Sequence, residues 1–243
     1  MTDTVLKVER IGKTIGGKDV LQPCSLLAGQ GEIIALCGGN GAGKSTLIRI
    51  VAGITQPTRG YVRICGRQWS DDRKQYADSI GYMPDEFLFG SALTAHETMR
   101  FYASLRRAKT SHVEELLRAV GLYEVRNRKI STFSKGMRQR LLFAQAMLAK
   151  PALLLLDEPT NGLDPFWMDE FGRLIRQAAA DGQTVLFSTH QLNIAELYAD
   201  RALFMDDGFV RHEGEVRALS HQYQNRGGLY GAFQALVAVK EGR

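Results

Sequence analysis

The sequence predicts an α/β fold built on a mostly parallel sheet with helices on both faces. Short apolar runs, typical of buried strands, alternate with segments whose apolar residues recur at helical spacing. A glycine-rich loop joins one such strand to a helix, and another apolar run ends in two carboxylates. At 243 residues, 44% of them hydrophobic, the chain is long enough to bury a substantial core.

The N-terminal part is predicted to consist mainly of strands with one helix. VLKVERI alternates apolar and polar residues, and GEIIALC is an apolar run bounded by glycine. CGGNGAGKST follows and leads into LIRIVAGI, which continues as a helix. RGYVRICG and SIGYM are two further strands, the second closed by Pro84.

From about Leu93 to Lys150 the pattern changes to helical spacing without an intervening strand. The helical segments are TAHETMRFYASLRR, SHVEELLRAVGL and SKGMRQRLLFAQAMLAK. After Pro151 the alternation resumes, with strands at LLLLD, TVLFSTH, RALFMDDG and FVRHEG and helices at DPFWMDEFGRLIRQAAA and QLNIAELYA. From His221, QYQNRGG is predicted to be a loop and LYGAFQALVAVKEG a closing helix.

Charge and cysteine content limit the classes of partner. The net charge of +5 permits nucleic acid or an anionic membrane surface as a partner, but we favour the alternative, a solvated surface without such a partner. The basic residues are scattered and not interleaved with aromatic ones, so we expect no nucleic-acid partner. Cys24, Cys37 and Cys65 fit no zinc or disulfide spacing, which indicates a reducing compartment.

The apolar runs are much shorter than the roughly 20 residues that span a bilayer. The N-terminus also lacks the basic-then-apolar order of a signal peptide. We therefore expect the chain to remain in the cytoplasm and to contain no membrane span.

GGNGAGKS has two glycines separated by four residues and followed by Lys and Ser, the spacing of a phosphate-binding loop. Glycine allows successive backbone N–H groups to point at one anion, and the following helix adds its positive end. Lys44 can then reach the β- and γ-phosphates, and the Ser45 hydroxyl can ligate Mg²⁺. A glycine turn with a chance Lys-Ser pair is the alternative, which the strand–loop–helix setting disfavours. The predicted nucleotide-binding residues here are Gly38, Gly39, Asn40, Gly41, Ala42, Gly43, Lys44, Ser45 and Thr46.

Two further strand ends carry acid–base groups. Asp157 ends the run LLLLD, where it can hold Mg²⁺, and Glu158 follows, where it can accept a proton from an attacking water. His190 ends the apolar strand TVLFSTH and is predicted to contact the γ-phosphate. A loop start at Asp157 and an exposed, structural His190 are the alternatives.

The segment STFSKGMRQR predicts a helix start, because hydroxyl residues precede apolar residues at helical spacing. A helix start beside a lysine is also an anion site. The predicted anion-binding residues are Ser134, Lys135, Gly136 and Met137. An ordinary helix cap with a solvent-facing lysine is the alternative.

Together these motifs resemble those of the nucleotide-binding subunit of ATP-binding cassette (ABC) transporters, in the family's order: GGNGAGKST, GYMPDE, FSKGMRQR, LLLLDEPTNGLDP and STH. The resemblance covers nearly the whole chain. It implies one ABC ATPase domain with a P-loop NTPase core, an N-terminal antiparallel β subdomain and a helical subdomain that carries FSKGM. The expected boundaries are 1–84 and 151–220 for the core with its β subdomain, 85–150 for the helical subdomain and 221–243 for a C-terminal tail.

The resemblance also implies cofactors, roles and partners. ATP and Mg²⁺ are the implied cofactors, with Glu158 as general base, Asp157 as magnesium carboxylate and His190 as switch histidine. FSKGM matches the segment that binds the γ-phosphate of the ATP held by a second copy, which implies an ATP-dependent head-to-tail homodimer. Gly162, Leu163 and Asp164 match the loop that touches the opposite copy. A separate transmembrane permease is the implied partner, and the cytoplasmic face of the membrane the implied location.

Several positions depart from the family pattern. Ile15 stands where an aromatic residue often stacks on adenine, so stacking on adenine is expected to be weaker. Asp85 stands where the family has glutamine, and we expect its carboxylate near the metal through water. Phe133, Lys135 and Met137 alter the FSKGM segment, and Lys135 adds a positive charge beside a phosphate site.

The wording SKGMRQR resembles an exporter-type branch that includes drug, antibiotic-resistance and sodium exporters and the ATPase for copper-site maturation of nitrous oxide reductase. Two other classes stay open: an ABC-type ATPase that acts on nucleic acid or ribosomes, and a P-loop kinase with a small-molecule acceptor. A single cassette without heptad runs disfavours the first. A second predicted phosphate site disfavours the second.

Overall fold

The computed structural model describes residues 3–86 and 92–237. The bounds of the strands are β1 Thr4–Ile15, β2 Lys18–Gly29, β3 Ile33–Cys37, β4 Arg59–Ile64, β5 Ile80–Met83, β6 Leu153–Leu156, β7 Thr184–Thr189, β8 Arg201–Asp206 and β9 Phe209–Glu215. The bounds of the α-helices are α1 Lys44–Val51, α2 Arg73–Asp78, α3 Ala95–Leu105, α4 Thr110–Ala119, α5 Lys135–Met147, α6 Pro165–Ala180, α7 Leu192–Tyr198, α8 Val216–Gln222 and α9 Leu229–Val237.

The larger sheet has six strands in the order β5-β6-β7-β3-β8-β9. The pairs from β5 to β8 are parallel, and β9 is added antiparallel to β8 at one edge. The smaller sheet has the order β2-β1-β4 and is antiparallel throughout. This architecture confirms the predicted fold class, a mostly parallel core sheet with an N-terminal antiparallel sheet.

The inner strands β6, β7 and β3 of the larger sheet are buried along their whole length, as their apolar runs predict. In β3, Ile33, Ala35 and Cys37 belong to the core formed with the helices α3 to α7. The alternate residues Ile34 and Leu36 belong to a second core, formed with α1 and the smaller sheet. Since successive strand residues point to opposite faces, one short strand contributes to both cores.

The helices predicted between Leu93 and Lys150 are confirmed as α3, α4 and α5. Thr94 and Glu97 form a capping box at the start of α3, because each side chain accepts a hydrogen bond from the other residue's backbone N–H. The part of this segment that the structure describes, 92–150, contains no strand. The boundaries 85–150 for a helical subdomain stay a prediction, since 87–91 lie outside the described residues.

The chain after β9 packs against the core. The sequence pattern did not predict α8, and α9 is the predicted closing helix up to Val237. Leu229 and Ala232 are fully buried, and the ring of Phe233 lies 5.2 Å from that of Phe204 on β8. The described part of the expected tail, 221–237, therefore belongs to the packed fold, and the predicted end of this helix lies outside the described residues. None of the helices in 3–86 and 92–237 has the length and apolar content needed to cross a membrane.

Candidate active site

The candidate site lies where three neighbouring parallel strands end. β6, β7 and β3 are adjacent in the sheet, and their carboxyl ends lead into Asp157-Glu158, His190 and the glycine-rich loop respectively. Ligands bind in sheets of this kind beyond the carboxyl ends of the strands. The strand order thus brings together predicted residues that are more than one hundred positions apart in the sequence.

The glycine-rich loop has the close packing that its sequence predicts. Gly41 and Gly43 have φ values of 81° and 98°, in the left-handed region that glycine adopts without steric cost. A Cβ on Gly38 would lie 2.3 Å from the carbonyl oxygen of Met205, so no side chain fits there. Gly39, Asn40 and Gly41 are exposed, Ala42 is buried and Thr46 is half-buried. The loop therefore has the tight backbone path that a phosphate-binding loop requires.

Lys44 lies inside this loop and is 5% exposed. Its Nζ donates hydrogen bonds to the carbonyl oxygens of Gly38, at 2.8 Å, and Gly39, at 3.1 Å. It also forms an ion pair with Glu158 Oε1 at 3.3 Å. A buried ammonium group must be paired and hydrogen-bonded, and these contacts satisfy that requirement.

Asp157 is the residue best suited to a metal. Its side chain is fully buried, and Oδ1 accepts hydrogen bonds from Ser45, at 2.9 Å, and Ser188, at 2.6 Å. Its other oxygen, Oδ2, is buried with no hydrogen-bond partner in the structure. Desolvation raises the pKa of Asp157, and the hydrogen bonds from Ser188 and Ser45 oppose this only in part.

The donor set around Asp157 fits Mg²⁺. A carboxylate oxygen without a partner next to a serine hydroxyl provides the hard oxygen ligands that Mg²⁺ prefers, with phosphate and water completing the shell. Within 3–86 and 92–237 there is no group of three or more His, Cys, Asp or Glu side chains that could hold a metal alone. Ser45 and Asp157 are the residues that would hold the ion, with nucleotide oxygens as further ligands.

Changing Asp157 to Asn is expected to separate stability from activity. The raised pKa means that the ionised carboxylate destabilises the nucleotide-free fold at neutral pH. We therefore expect the Asn variant to have the higher melting temperature at pH 8, and the gap to wild type to shrink as pH falls through the pKa of Asp157. Mg²⁺-dependent ATP hydrolysis should fall at least about 100-fold. Thermal unfolding across pH without nucleotide, together with a phosphate-release assay, tests both effects. A variant less stable than wild type at pH 8 would contradict the first.

Glu158 is held at both carboxylate oxygens. Oε1 pairs with Lys44, and Oε2 lies 2.9 Å from Nδ1 of His190. The Glu158 side chain is 9% exposed, whereas that of His190 is 45% exposed. The arrangement gives a buried carboxylate beside the phosphate loop with an accessible imidazole next to it, so the structure brings both predicted catalytic residues together.

Two buried polar residues at this site were not predicted from the sequence. The Ser188 hydroxyl accepts a hydrogen bond from the Glu158 backbone N–H at 2.8 Å. The Gln139 side-chain amide donates to the Glu158 carbonyl oxygen at 3.2 Å. Gln139 lies between two arginines in α5, and Ser188 follows the apolar run VLF of β7 and precedes a threonine. Neither position has a sequence pattern that marks it as part of the site.

The segment FSKGM begins α5, as predicted. Ser134 caps this helix, since its hydroxyl accepts a hydrogen bond from the Met137 N–H at 3.2 Å, and Lys135 is exposed. A Cβ on Gly136 would lie 2.8 Å from the Gly162 carbonyl oxygen. A Cβ on Gly162 would lie 3.0 Å from Cδ of Lys135. FSKGM is thus in close contact with the Gly162 loop of its own chain.

The other predicted residues near this loop have partners of their own. The Asp85 carboxylate accepts a hydrogen bond from the Asn161 side chain at 3.0 Å, and its charge contributes to raising the pKa of Asp157. Asp85 is thus near Asp157, and the roles of both residues at a metal stay predictions. Asp164 caps α6 by accepting from the Trp167 N–H at 3.0 Å, and Leu163 is half-buried against the core. Ile15, at the exposed end of β1, is 57% exposed.

Comparison with known proteins gives the same assignment as the motifs. The family model described as ABC transporter matches residues 21–161, which is more than half of the chain. An uncharacterised ABC transporter ATP-binding protein, YdbJ of Bacillus subtilis, is 38% identical over 215 residues, covering 88% of this chain and 70% of that protein. The lantibiotic transport ATP-binding protein SrtF of Streptococcus pyogenes is 35% identical, covering 87% of this chain and 91% of SrtF. The bacitracin transport ATP-binding protein BcrA of Bacillus licheniformis is 34% identical, covering 86% and 69%.

Solved structures agree with the fold. A structure described as the ATP-binding subunit of an ABC transporter superposes with a TM-score of 0.87 at 31% identity, covering 96% of this chain and 99% of that one. A dimeric bacterial ABC transporter cassette superposes with a TM-score of 0.79 at 27% identity, covering 86% and 98%. The family model, the relatives and the solved structures therefore agree with the motifs of this chain. The protein belongs to the ABC transporter family, as an ATP-binding subunit with ATPase activity coupled to transport.

Proposed function

We propose that this chain binds ATP with Mg²⁺, hydrolyses it at Glu158, and drives an export-type permease from the cytoplasmic face of the membrane. One observation supports the catalytic part of this proposal: four polar side chains meet at one edge of the sheet. Glu158 contacts both Lys44 and His190. Its neighbour Asp157 accepts a hydrogen bond from Ser45. Such a site joins a phosphate cradle, a metal carboxylate and a candidate base.

Each residue has a role that follows from its position. Backbone N–H groups of the loop and the first turn of α1 bind the phosphates, and Lys44 neutralises their charge. Ser45 and Asp157 hold Mg²⁺, which supplies charge neutralisation on the phosphate oxygens when bound. Glu158 accepts a proton from the attacking water, and His190 orients the Glu158 carboxylate through Oε2.

The FSKGM segment is proposed to bind the γ-phosphate of ATP held by a second copy in a head-to-tail dimer. In this chain the helix start at Ser134 and the charge of Lys135 lie together on an exposed segment. The phosphate loop contains a lysine of its own, Lys44, and would hold the chain's own nucleotide. An exposed, positive helix start next to the Gly162 loop is therefore suited to an anion brought by a partner.

The export assignment is supported by relatives whose names refer to lantibiotic and bacitracin transport. For this chain, export of a related compound through a separate permease is the resulting proposal. A role in the maturation of a copper enzyme is suggested only by the sequence of the motif SKGMRQR and stays a prediction. The ribosome or nucleic-acid alternative is kept as an outcome of the experiment below.

Co-purification tests the transport proposal. A tagged Glu158→Gln variant, isolated with ATP and Mg²⁺ from detergent-extracted membranes of its own host, should recover a multi-span membrane protein. The identity of that protein would indicate the cargo class. The same preparation without nucleotide measures how far the association depends on ATP.

The outcomes are distinct. Recovery of a permease supports the transporter, and a permease devoted to a copper enzyme would favour the maturation branch. Recovery of only ribosomes, nucleic acid or soluble proteins would contradict the transport proposal while leaving the ATPase chemistry in place.

A further inference from the structure

The backbone of Glu158 has an uncommon conformation. Its φ is +47°, in the left-handed region that residues with a Cβ rarely adopt. Such a conformation is strained and persists only where the surroundings fix it. Contacts with the surrounding structure must therefore fix this conformation, and hydrogen bonds to the Glu158 backbone are such contacts.

The backbone N–H and the backbone carbonyl of Glu158 each form a hydrogen bond with a buried side chain from another element. Ser188 on β7 accepts from the Glu158 N–H and donates to Asp157 Oδ1. Gln139 on α5 donates to the Glu158 carbonyl oxygen. Ser188 is fully buried and Gln139 is 4% exposed, so water does not compete freely for these bonds.

Gln139 is not needed merely to satisfy that carbonyl. The backbone N–H of Asn161 already donates to the same oxygen at 3.1 Å. A buried acceptor with one partner meets the ordinary requirement for burial. The second bond brings an amide from a different subdomain to the residue whose side chain faces Lys44 and His190.

We propose that Gln139 is a positioning residue, which fixes the Glu158 backbone so that its carboxylate points at the attacking water. The inference rests on the proposed role of Glu158 as general base. Positioning of this kind has a large effect on rate, since a misplacement of about 1 Å can cost roughly 100-fold.

Gln139 also links the base to the helix that begins at Ser134. With 3.6 residues per turn, Ser134 and Gln139 are separated by about one and a half turns of α5. A rigid helix that is displaced or rotated at its first turn carries Gln139 with it.

The test is Gln139→Met, which keeps an unbranched side chain of similar length and removes the donor. We expect kcat for ATP hydrolysis to fall about 10- to 100-fold, with the ATP dissociation constant unchanged. Gln145→Met, in the last turn of α5, is the matched control and should keep the wild-type kcat. If Gln139→Met does not fold, Gln139→Asn keeps the amide but is too short to reach the carbonyl, and the same loss is expected.

Combining the change with Glu158→Gln separates positioning from general damage. If Gln139 acts through the base, Gln139→Met should cause little further loss in a Glu158→Gln background. The same fold loss in both backgrounds, or a wild-type kcat for Gln139→Met, would overturn the inference. If Glu158→Gln itself hydrolyses ATP at the wild-type rate, the proposed base is wrong instead.

Discussion

Replacing Glu158 by Gln is expected to slow ATP hydrolysis by roughly 10²- to 10⁴-fold while ATP binding persists. The amide has the size of the carboxylate but accepts no proton from water. The loss of the ion pair with Lys44 leaves that ammonium its two carbonyl partners on the loop. Single-turnover phosphate release and equilibrium binding of ATP with Mg²⁺ measure the two quantities separately. Normal hydrolysis would assign the base to another group.

The same variant is expected to accumulate as an ATP-bound dimer, because closure is no longer followed by cleavage. Size-exclusion chromatography with and without ATP measures this. Adding Ser134→Asp to the Glu158→Gln variant tests whether this dimer depends on a phosphate site at Ser134. Asp caps a helix about as well as Ser, so α5 should persist, but its charge repels a phosphate. We expect a monomer that still binds ATP in its own loop. A dimer of unchanged stability would argue against a phosphate site at Ser134.

Changing Lys44 to Ala is expected to remove most nucleotide binding. Losing one partner of a buried, hydrogen-bonded charge pair costs about 2–5 kcal/mol, which corresponds to at least about a 30-fold increase in the ATP dissociation constant. The variant also leaves Glu158 without its cationic partner at 3.3 Å, so thermal unfolding must accompany the titration. Calorimetric titration with ATP and Mg²⁺ is the direct measurement.

Lys135→Ala is the control for that experiment. Lys135 is an exposed lysine at the start of α5, outside the loop that holds Lys44. Its removal should leave binding of ATP by a monomer unchanged. Retention of wild-type affinity by Lys44→Ala would show that the glycine-rich loop is not the phosphate cradle.

The architecture could be predicted because its long elements have strong patterns. β3 and β6 are continuous apolar strands, β7 has the apolar centre VLF, and all three are fully buried. The helices α5 and α6 have helical spacing over 13 and 16 residues. The short helices α2 and α8 were not predicted, because six and seven residues give periodicity only about two turns. The equally short α7 was predicted, within QLNIAELYA. Asp72, which caps α2, was the local signal available.

The site was predictable where its chemistry lies in contiguous motifs. The loop with Lys44 and the pair Asp157-Glu158 are such motifs, and the strand order then brings them to one edge. Gln139 and Ser188 could not be assigned this way, because their function depends on contacts across 19 and 30 positions. Likewise, nothing in the sequence pairs Asp85 with Asn161, which lies 76 positions away.

The contact between Gly136 and Gly162 has a consequence for the energetics of assembly. The absence of side chains lets two exposed segments, both proposed to meet a partner, pack backbone to backbone within one chain, with the stem of Lys135 laid across Gly162. Their relative arrangement is therefore established during folding and not at encounter. A surface ordered in advance loses less conformational entropy on association, so more of the contact energy remains to hold two copies together.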